Sequence, residues 1–332
     1  LSLHDALPIS DDQGYGDLSC FGSKTIDTPN IDRIAKEGRK FTSFMVASPV
    51  CTPSRAALLT GCYPKRVGMH QHVLFPSSTK GLNPKEHTIA DHLKSQGYAT
   101  ACFGKWHLGN QPQFLPTAQG FDTYYGIPYS NDMWPALRRF KCPDLPVLRD
   151  TKVVELIKDM DGQATLCKKF TDAATRFIRK NKKKPFFVYL PHAFVHGPRK
   201  ASPQFMAKAK TVEQAQVEEV DWSVGQILKT LREEGLEKNT LVLFTSDNGP
   251  AGGLSAGPLR GRKGTAFEGG QREPTIAWWP ETIPAGTTSN ELTTAMDLHP
   301  TFATLAGANM PTDRVIDGKD VAPIILGKPD AK

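Results

Sequence analysis

The chain has 332 residues, and its 41 Lys and Arg residues outnumber its 34 Asp and Glu residues to give a formal net charge of +7. At about 150 residues per domain, this length fits two domains or one large α/β unit. Gly and Pro are too few for a collagen-like or disordered chain, and no stretch approaches the roughly 18 apolar residues of a membrane span.

Helix and strand patterns alternate along the chain. Helices are predicted at 28–38, 53–59, 88–96, 217–231 and 297–305, and strands at 40–46, 98–103, 185–190 and 241–244. The alternation predicts the α/β class, with a large, mostly parallel central sheet sandwiched by helices. In such sheets, ligands bind beyond the carboxyl ends of the strands, so we look for reactive residues there.

Neither the cysteines nor the basic residues identify a function by number alone. The six cysteines include no C-x-x-C pair and are too sparse for a disulfide scaffold. The basic residues are scattered, which does not favour nucleic acid as a partner.

Oxygen ligands occur at two distant places, Asp11 with Asp12 and Asp247 with Asn248, the second pair directly after the predicted strand at 241–244. Together they would suit a hard cation such as calcium or magnesium. Each pair alone is more often simply a turn.

Cys51 precedes a short predicted helix in which Pro53 occupies the first turn and Arg55 follows. A helix N-terminus favours an anion or a thiolate, and Arg55 can fold back towards it. The alternative is a buried, inert cysteine.

Three further segments carry donors for an oxyanion. Lys105 and His107 follow the strand at 98–103, where a surface loop is the alternative; His192 and His196 follow the strand at 185–190, and one of them can be structural while the other is reactive. Lys263 lies in a glycine-rich basic loop at 260–270, for which a solvated loop is the alternative.

In this order, four strings resemble the type I sulfatases, the formylglycine-dependent members of the alkaline phosphatase superfamily. They are DDQGYGD at 11–17, CTPSRAALLTG at 51–61, GKWHLG at 104–109 and SDNG at 246–249. The resemblance extends to about Gly327, and the stretches at 260–280 and 316–327 resemble the arylsulfatase A and N-acetylgalactosamine-6-sulfatase branch.

The resemblance implies a role for each matched residue. Cys51 would be oxidised to formylglycine by a maturation enzyme, and calcium, in preference to magnesium, would bind Asp11, Asp12, Asp247, Asn248 and residue 51. Arg55, Lys105 and His107 would hold the aldehyde hydrate. Lys105, Lys263, His196 and Ser130 would bind the sulfate group.

The resemblance also implies a reaction, the hydrolysis of a sulfated carbohydrate or aryl sulfate. One hydroxyl of the hydrate attacks sulfur, and the other, once deprotonated, expels sulfate as the aldehyde re-forms. Either Asp247 or His196 would donate the proton to the leaving alcohol. The alternatives are a phosphonate monoester or phosphodiester hydrolase of the same superfamily, or an inactive calcium-binding relative.

The two ends of the chain depart from the family pattern. Residues 1–10 include His4, Asp5 and Pro8 where relatives have an apolar first strand, and proline suits a central strand poorly. We interpret this segment as non-native sequence joined to a catalytic domain at 11–327, with 328–332 a truncated end before a small antiparallel subdomain. Without a native first strand, we expect poor folding or lost activity.

The resemblance also gives expectations about the cellular location and the substrate of the protein. The resemblance implies a periplasmic, secreted or lysosome-like full-length protein, with a sulfated small molecule or glycan as its substrate. In the long connection at 128–151, Trp134, Arg138 and Arg139 are candidate specificity contacts, with surface residues as the equal alternative.

Overall fold

The computed structural model describes residues 3–136 and 141–332. The strands are β1 His4–Ser10, β2 Arg39–Phe41, β3 Phe44–Met45, β4 Ala99–Lys105, β5 Thr123–Ile127, β6 Leu145–Arg149, β7 Lys152–Ile157, β8 Phe186–Pro191, β9 Thr240–Ser246, β10 Thr275–Trp278, β11 Thr287–Ser289 and β12 Thr293–Thr294. The helices are α1 Pro29–Glu37, α2 Cys51–Thr60, α3 Ile89–Ser95, α4 Met160–Ala164, α5 Leu166–Asn181, α6 Pro203–Met206, α7 Val212–Glu233, α8 Glu268–Gln271, α9 Leu298–Ala306 and α10 Ala322–Ile325.

One large sheet organises the chain. Its ten strands run in the order β11, β2, β10, β9, β1, β8, β4, β5, β6, β7, and the five from β9 to β5 are parallel. Antiparallel pairs flank this parallel centre on both sides. The predicted mostly parallel central sheet is therefore confirmed.

Each face of the sheet is covered by its own apolar core. The helices α1, α5 and α7 cover one face, where residues such as Val188 and Phe244 are buried. On the other face, α2, α3 and α9 pack over residues such as Leu243 and Phe187. This arrangement buries both faces of the central strands, as expected for continuous apolar strands in a parallel sheet.

The first strand differs from its sequence-based interpretation, because His4–Ser10 form β1 in the centre of the sheet, between β8 and β9. The pairing accommodates the proline: β1 pairs with β9 at His4 to Ala6 and at Ile9 and Ser10, and Leu7 and Pro8 are passed over. Pro8 has no N–H to donate, so a gap in the ladder at this point leaves no donor unpaired.

The polar residues of β1 remain poorly matched to their surroundings. Both carboxyl oxygens of Asp5 are buried without a hydrogen-bond partner among the described residues, and burial raises the pKa of Asp5 well above its usual value. His4 stacks on Phe186 at 4.2 Å, and burial lowers its pKa to about 4. The strand is thus present, with an uncompensated polar group inside it.

Most of the predicted helices and strands are present, but one predicted strand is divided into two. The predicted strand at 40–46 is two short strands, since the chain leaves the large sheet after Phe41 and pairs with β12 from Phe44. None of the helices in the described ranges combines the length and apolarity needed to cross a bilayer.

Candidate active site

Four parallel strands end at the same edge of the sheet and deliver polar residues there. Asp11 follows β1, Lys105 closes β4, His196 follows β8 and Asp247 follows β9. Hydrogen bonds join these segments: the backbone N–H of Asp247 donates to the carbonyl oxygen of Ser10 at 3.2 Å. The residues predicted from distant stretches of sequence therefore lie together.

Cys51 is the first residue of α2 and lies between two lysines. Its Sγ is 3.6 Å from Nζ of Lys105 and 3.5 Å from Nζ of Lys263, and the side chain is buried. Burial raises the pKa of the Cys51 thiol, and the carboxylate of Asp11, 3.6 Å from Sγ, raises it further. The thiol is therefore neutral. Cys51 differs from an ordinary buried cysteine by its position between two lysines and not by a low pKa.

Arg55, one turn further along α2, is buried and directed at the carboxylates. Its Nη2 lies 2.8 Å from Oδ2 of Asp247 and 3.2 Å from Oδ2 of Asp11, and its Nη1 donates to the carbonyl oxygen of Lys105 at 3.0 Å. One guanidinium therefore ties the ends of β1, β4 and β9 together, and Arg is suited to this by its planar fork of donors.

Lys105 is buried against Asp11. Its Nζ lies 2.5 Å from Oδ2 of Asp11 and donates to Oγ of Ser130 at 3.0 Å. Burial alone would raise the pKa of Asp11, but Lys105 and Arg55 hold it well below its usual value. Asp11 is consequently ionised, and Lys105 is charged because Asp11 raises its pKa against the effect of burial.

Asp12 is the second centre of the cluster. Lys263 approaches Oδ1 of Asp12 at 2.6 Å, Nδ2 of Asn248 donates to the same oxygen at 2.8 Å, and Nε2 of His196 lies 3.5 Å from Oδ2. The backbone of Asp12 is left-handed, with φ of 60°. This uncommon conformation directs the carboxylates of successive residues into one site.

The carboxylates of Asp11 and Asp12 and the amide oxygen of Asn248 are the ligands that a hard cation prefers, and they lie in a cluster that also includes a thiol and an imidazole. Ligand atoms from Asp11, Asp12, Cys51 and His196 lie within 4.8 Å of one another. Oδ1 of Asn248 is buried without a partner among the described residues, as expected for an oxygen reserved for a metal ligand. His196 was predicted to bind sulfate rather than metal, and the structure brings it close enough to the carboxylates for either contact.

The other two candidate histidines, His107 and His192, contact a backbone carbonyl and a hydroxyl group, respectively. Nε2 of His107 lies 3.0 Å from the carbonyl oxygen of Leu74, and burial, with Lys105 and Arg55 nearby, lowers its pKa well below the usual value. His192 is buried, with Nε2 3.0 Å from Oγ of Ser223. The contact with Ser223 favours His192 as the structural member of the pair at 192 and 196, although its Nδ1 has no partner among the described residues, and His107 is a neutral residue beside Lys105 and Arg55.

Comparison with known proteins is consistent with this geometry. The sulfatase family model matches residues 7–308. The chain belongs to the sulfatase family. It is 42% identical to N-acetylgalactosamine-6-sulfatase of Canis lupus familiaris over 97% of the chain, and 40% identical to arylsulfatase A of Homo sapiens over 97%. This sulfatase chain spans 65% and 67% of the length of those two relatives.

Solved structures share the fold of this sulfatase. Ps i-CgsB, crystallised in complex with k-i-k-neocarrahexaose, is similar with a TM-score of 0.89 and 34% identity, covering 98% of this chain and 77% of that one. The similarity confirms the predicted alkaline-phosphatase-like architecture for the catalytic part.

Two residues of this sulfatase were missed by the sequence analysis. Glu273 has both carboxyl oxygens buried without a partner among the described residues, and burial together with Asp247 raises its pKa well above the usual value. Arg199 donates to the carbonyl oxygens of Val195 and Ala251, so it ties the His196 loop to the loop after β9. Neither lies in a string that signalled chemistry. Of the candidate specificity contacts, Trp134 is buried, and Arg138 and Arg139 lie outside the described residues.

Proposed function

We propose that the chain hydrolyses sulfate monoesters, either sulfated carbohydrates or aryl sulfates, and releases inorganic sulfate. The observation that carries this proposal is the placement of Cys51 between the ammonium groups of Lys105 and Lys263, 3.6 and 3.5 Å from its Sγ. A sulfate monoester repels nucleophiles through its negative charge, so a site that attacks it needs cations around the attacking atom.

The proposed nucleophile is residue 51 after oxidation of Cys51 to formylglycine by a maturation enzyme. Supporting this, the Cys-x-Pro-Ser-Arg string surrounds a thiol that burial keeps neutral, which is a poor nucleophile as it stands. The hydrated aldehyde would supply the attacking oxygen and, through its second hydroxyl, a route to expel sulfate.

Asp11, Asp12, Asp247 and Asn248, with residue 51, would hold a calcium ion in preference to magnesium. Three carboxylates and one amide oxygen form an oxygen-rich set of the kind calcium takes. When bound, this ion would neutralise charge on the sulfate oxygens. Arg55 would keep Asp11 and Asp247 oriented, because it contacts both at 3.2 and 2.8 Å.

The remaining side chains would orient the substrate. Lys105 and Ser130, 3.0 Å apart, would hold one side of the sulfate group, and Lys263 the other. His107, held by Leu74, would hydrogen-bond the hydrate through Nδ1, which is buried without a partner among the described residues. These contacts bring the ester close to the nucleophile and fix its direction of approach.

His196 is the proposed proton donor to the leaving alcohol, and Asp247 the proposed base. The side chain of His196 is 13% exposed, whereas that of Asp247 is 1% exposed and bound by Arg55. A leaving sugar must depart towards solvent, so the group at the solvent side is better placed to protonate it.

The proposed substrate is a sulfated glycan, and the proposed location of the full-length protein is periplasmic, secreted or lysosome-like. N-acetylgalactosamine-6-sulfatase is named for a sulfated N-acetylgalactosamine, and Ps i-CgsB was crystallised with k-i-k-neocarrahexaose. Both are sulfated sugars, which supports this class without selecting a sugar.

The proposal is tested in two steps on chain produced with a maturation enzyme. Mass spectrometry of the tryptic peptide 41–55 should show that Cys51 has exchanged its sulfur for an aldehyde oxygen. The converted chain should then hydrolyse 4-nitrophenyl sulfate faster than a phosphate diester or a phosphonate monoester. Full conversion without sulfate ester turnover would contradict the function, and faster phosphonate turnover would favour the phosphonate hydrolase alternative.

A further inference from the structure

Thr52 is a buried polar residue that directly follows Cys51 in the first turn of α2. Its side chain lies among the fully buried groups of the chain, at 0% exposure. A threonine hydroxyl carries one donor hydrogen and two acceptor lone pairs, so a buried threonine needs partners for both functions. The partners of Thr52 lie in two other segments, and they connect it to His107.

The Thr52 hydroxyl joins the segment after β4 to a loop. Its Oγ1 donates to the carbonyl oxygen of His107 at 2.8 Å and accepts the N–H of Leu74 at 3.2 Å. The carbonyl oxygen of Leu74 in turn lies 3.0 Å from Nε2 of His107. The three residues therefore form a closed ring of hydrogen bonds, in which both polar backbone groups of Leu74 have partners.

This ring determines which nitrogen of His107 carries the proton. A carbonyl oxygen only accepts, so the hydrogen bond to Leu74 requires a proton on Nε2. Burial, with Lys105 and Arg55 nearby, lowers the pKa of His107 and keeps the imidazole neutral. Only one nitrogen of a neutral imidazole bears hydrogen, so Nδ1, which is buried without a partner among the described residues, is an acceptor.

The backbone of His107 also depends on the ring of hydrogen bonds. Its φ of 60° is left-handed, a conformation that is uncommon for residues other than glycine and persists where surrounding contacts fix it. The N–H of His107 donates to the carbonyl oxygen of Pro128 at 3.2 Å, and its carbonyl oxygen accepts from Thr52. Thr52 thus supports the backbone of His107 directly and its imidazole through Leu74.

From this geometry we propose that Thr52 is a positioning residue for the reaction at residue 51. Its hydroxyl holds His107 in the Nε2–H tautomer and leaves Nδ1 as the acceptor for a hydroxyl of the hydrate. Thr52 acts on the reaction through His107 and Leu74. The inference rests on the proposed function, and it gives the second position of the Cys-x-Pro-Ser-Arg string a chemical requirement for a hydroxyl group.

The variants separate the hydroxyl of Thr52 from its volume. Thr52→Val and Thr52→Ala both remove the hydroxyl, whereas Thr52→Ser keeps it. The matched control is Thr60→Val, because the hydroxyl of Thr60 is also buried in α2 but donates within the helix, to the carbonyl oxygen of Ala56 at 2.7 Å. The control therefore loses a buried hydroxyl without disturbing the ring of hydrogen bonds at His107.

Nitrogen-15 NMR of histidine-labelled chain measures the tautomer, because protonated and unprotonated nitrogens of a neutral imidazole resonate far apart. The signals of His107 are those lost in His107→Gln, and the measurement uses unconverted chain without turnover. We expect the Nε2–H tautomer in the parent, in Thr52→Ser and in Thr60→Val. In Thr52→Val and Thr52→Ala both ring nitrogen signals should shift towards a mixture of tautomers, since Leu74 is no longer held in place.

Kinetics on 4-nitrophenyl sulfate then measures the consequence for the reaction. Rates are expressed per converted site, after mass spectrometry gives the fraction of Cys51 converted in each variant. The kcat of Thr52→Val should fall about 10-fold to 100-fold, as is typical when the support of a reactive residue is removed. Its KM should change little, because the sulfate contacts remain. Thr52→Ser and Thr60→Val should retain most of the parent kcat.

The inference is overturned if the parent lacks the Nε2–H tautomer, or if the hydroxyl-free variants keep the parent tautomer or the parent kcat. It is also overturned if Thr52→Ser or Thr60→Val loses as much kcat as Thr52→Val, because a general loss of packing would then explain the effect. Failure of the proposed function has a different signature: the converted parent would not hydrolyse the sulfate ester, while the NMR result on unconverted chain would stand.

Discussion

Arg55 holds one oxygen of Asp247 with two of its nitrogens, Nε at 2.9 Å and Nη2 at 2.8 Å from Oδ2, and both side chains are 1% exposed. Burying charged groups is unfavourable unless each has partners, and this pair meets that condition together with Asp11 and Lys105. The active site is therefore also a part of the fold that single substitutions can destabilise.

Replacing Arg55 by Met should lower the free energy of unfolding by about 3 to 5 kcal/mol, because Asp11 and Asp247 lose a buried cation. Urea denaturation in the presence of a chelator measures this without a contribution from bound metal. The control is Arg33→Ala, which breaks an exposed pair with Glu37 and should cost under about 1 kcal/mol. Equal losses of unfolding free energy in the two variants would show that the buried network stabilises the fold no more than an exposed ion pair does.

Lys105 and Ser130 should differ in their effect on turnover although they contact each other. Lys105→Ala removes a cation beside residue 51 and should lower kcat about 100-fold to 1,000-fold. Ser130→Ala removes one neutral hydroxyl and should cost about tenfold or less. Steady-state kinetics on 4-nitrophenyl sulfate measures both, after mass spectrometry confirms equal conversion of Cys51. A larger loss for Ser130→Ala would reverse the proposed roles.

His196 should be needed most when the leaving group is poor. If His196 protonates the leaving alcohol, His196→Ala should lose about 10-fold to 100-fold more activity on an alkyl sulfate than on 4-nitrophenyl sulfate, whose phenolate leaves without a proton. His192→Ala serves as the control, because His192 contacts Ser223 and should affect stability rather than leaving-group dependence. A uniform loss in His196→Ala across both substrates would contradict this role for His196.

Calcium should stabilise the chain through Asn248. At 100 times its Kd, calcium should raise the free energy of unfolding by about 2.7 kcal/mol. Asn248→Leu removes the buried Oδ1 and should weaken calcium binding about tenfold or more, measured by calorimetry and by the melting shift. Asn83→Ala, at an exposed position, should leave the affinity unchanged. A parent chain that calcium does not stabilise would remove the basis for the metal site.

Much of the site could be predicted because short strings specify it. Cys51, Lys105 and Asp247 each lie beside a strand or helix boundary that apolar periodicity and proline or glycine positions reveal, whereas Asp11 was found from its string alone. Parallel strands then bring these boundaries to one edge of the sheet. Glu273 and Arg199 could not be found in this way, since no local pattern records the burial of Glu273 or the contact of Arg199 with the distant Ala251.

At β1 the local sequence pattern and the observed strand disagree. Its local sequence, with His4, Asp5 and Pro8, argues against a central strand, but the segment pairs with β8 on one side and β9 on the other. Tertiary pairing can impose a strand on a sequence with weak preference for it, because β preference depends mainly on context. What pairing does not remove is the cost of the polar atoms it buries.

Asp5 should therefore destabilise the folded chain in a pH-dependent way. In the folded state burial raises its pKa well above the usual value, whereas the unfolded chain ionises near 3.8. As pH rises above 3.8 the unfolded state releases its proton while the folded state keeps it, so stability falls by about 1.4 kcal/mol per pH unit until the folded pKa is reached.

Replacing Asp5 by Val should thus raise the free energy of unfolding by about 2 kcal/mol or more at neutral pH, and the gain over the parent should grow from pH 4 to pH 7. Taking the difference between variant and parent cancels the opposite pH dependence of His4. Asp27→Asn, at an exposed position, should give no such trend. If Asp5→Val were no more stable than the parent at any pH in this range, the buried carboxyl would have a partner that the structure does not show.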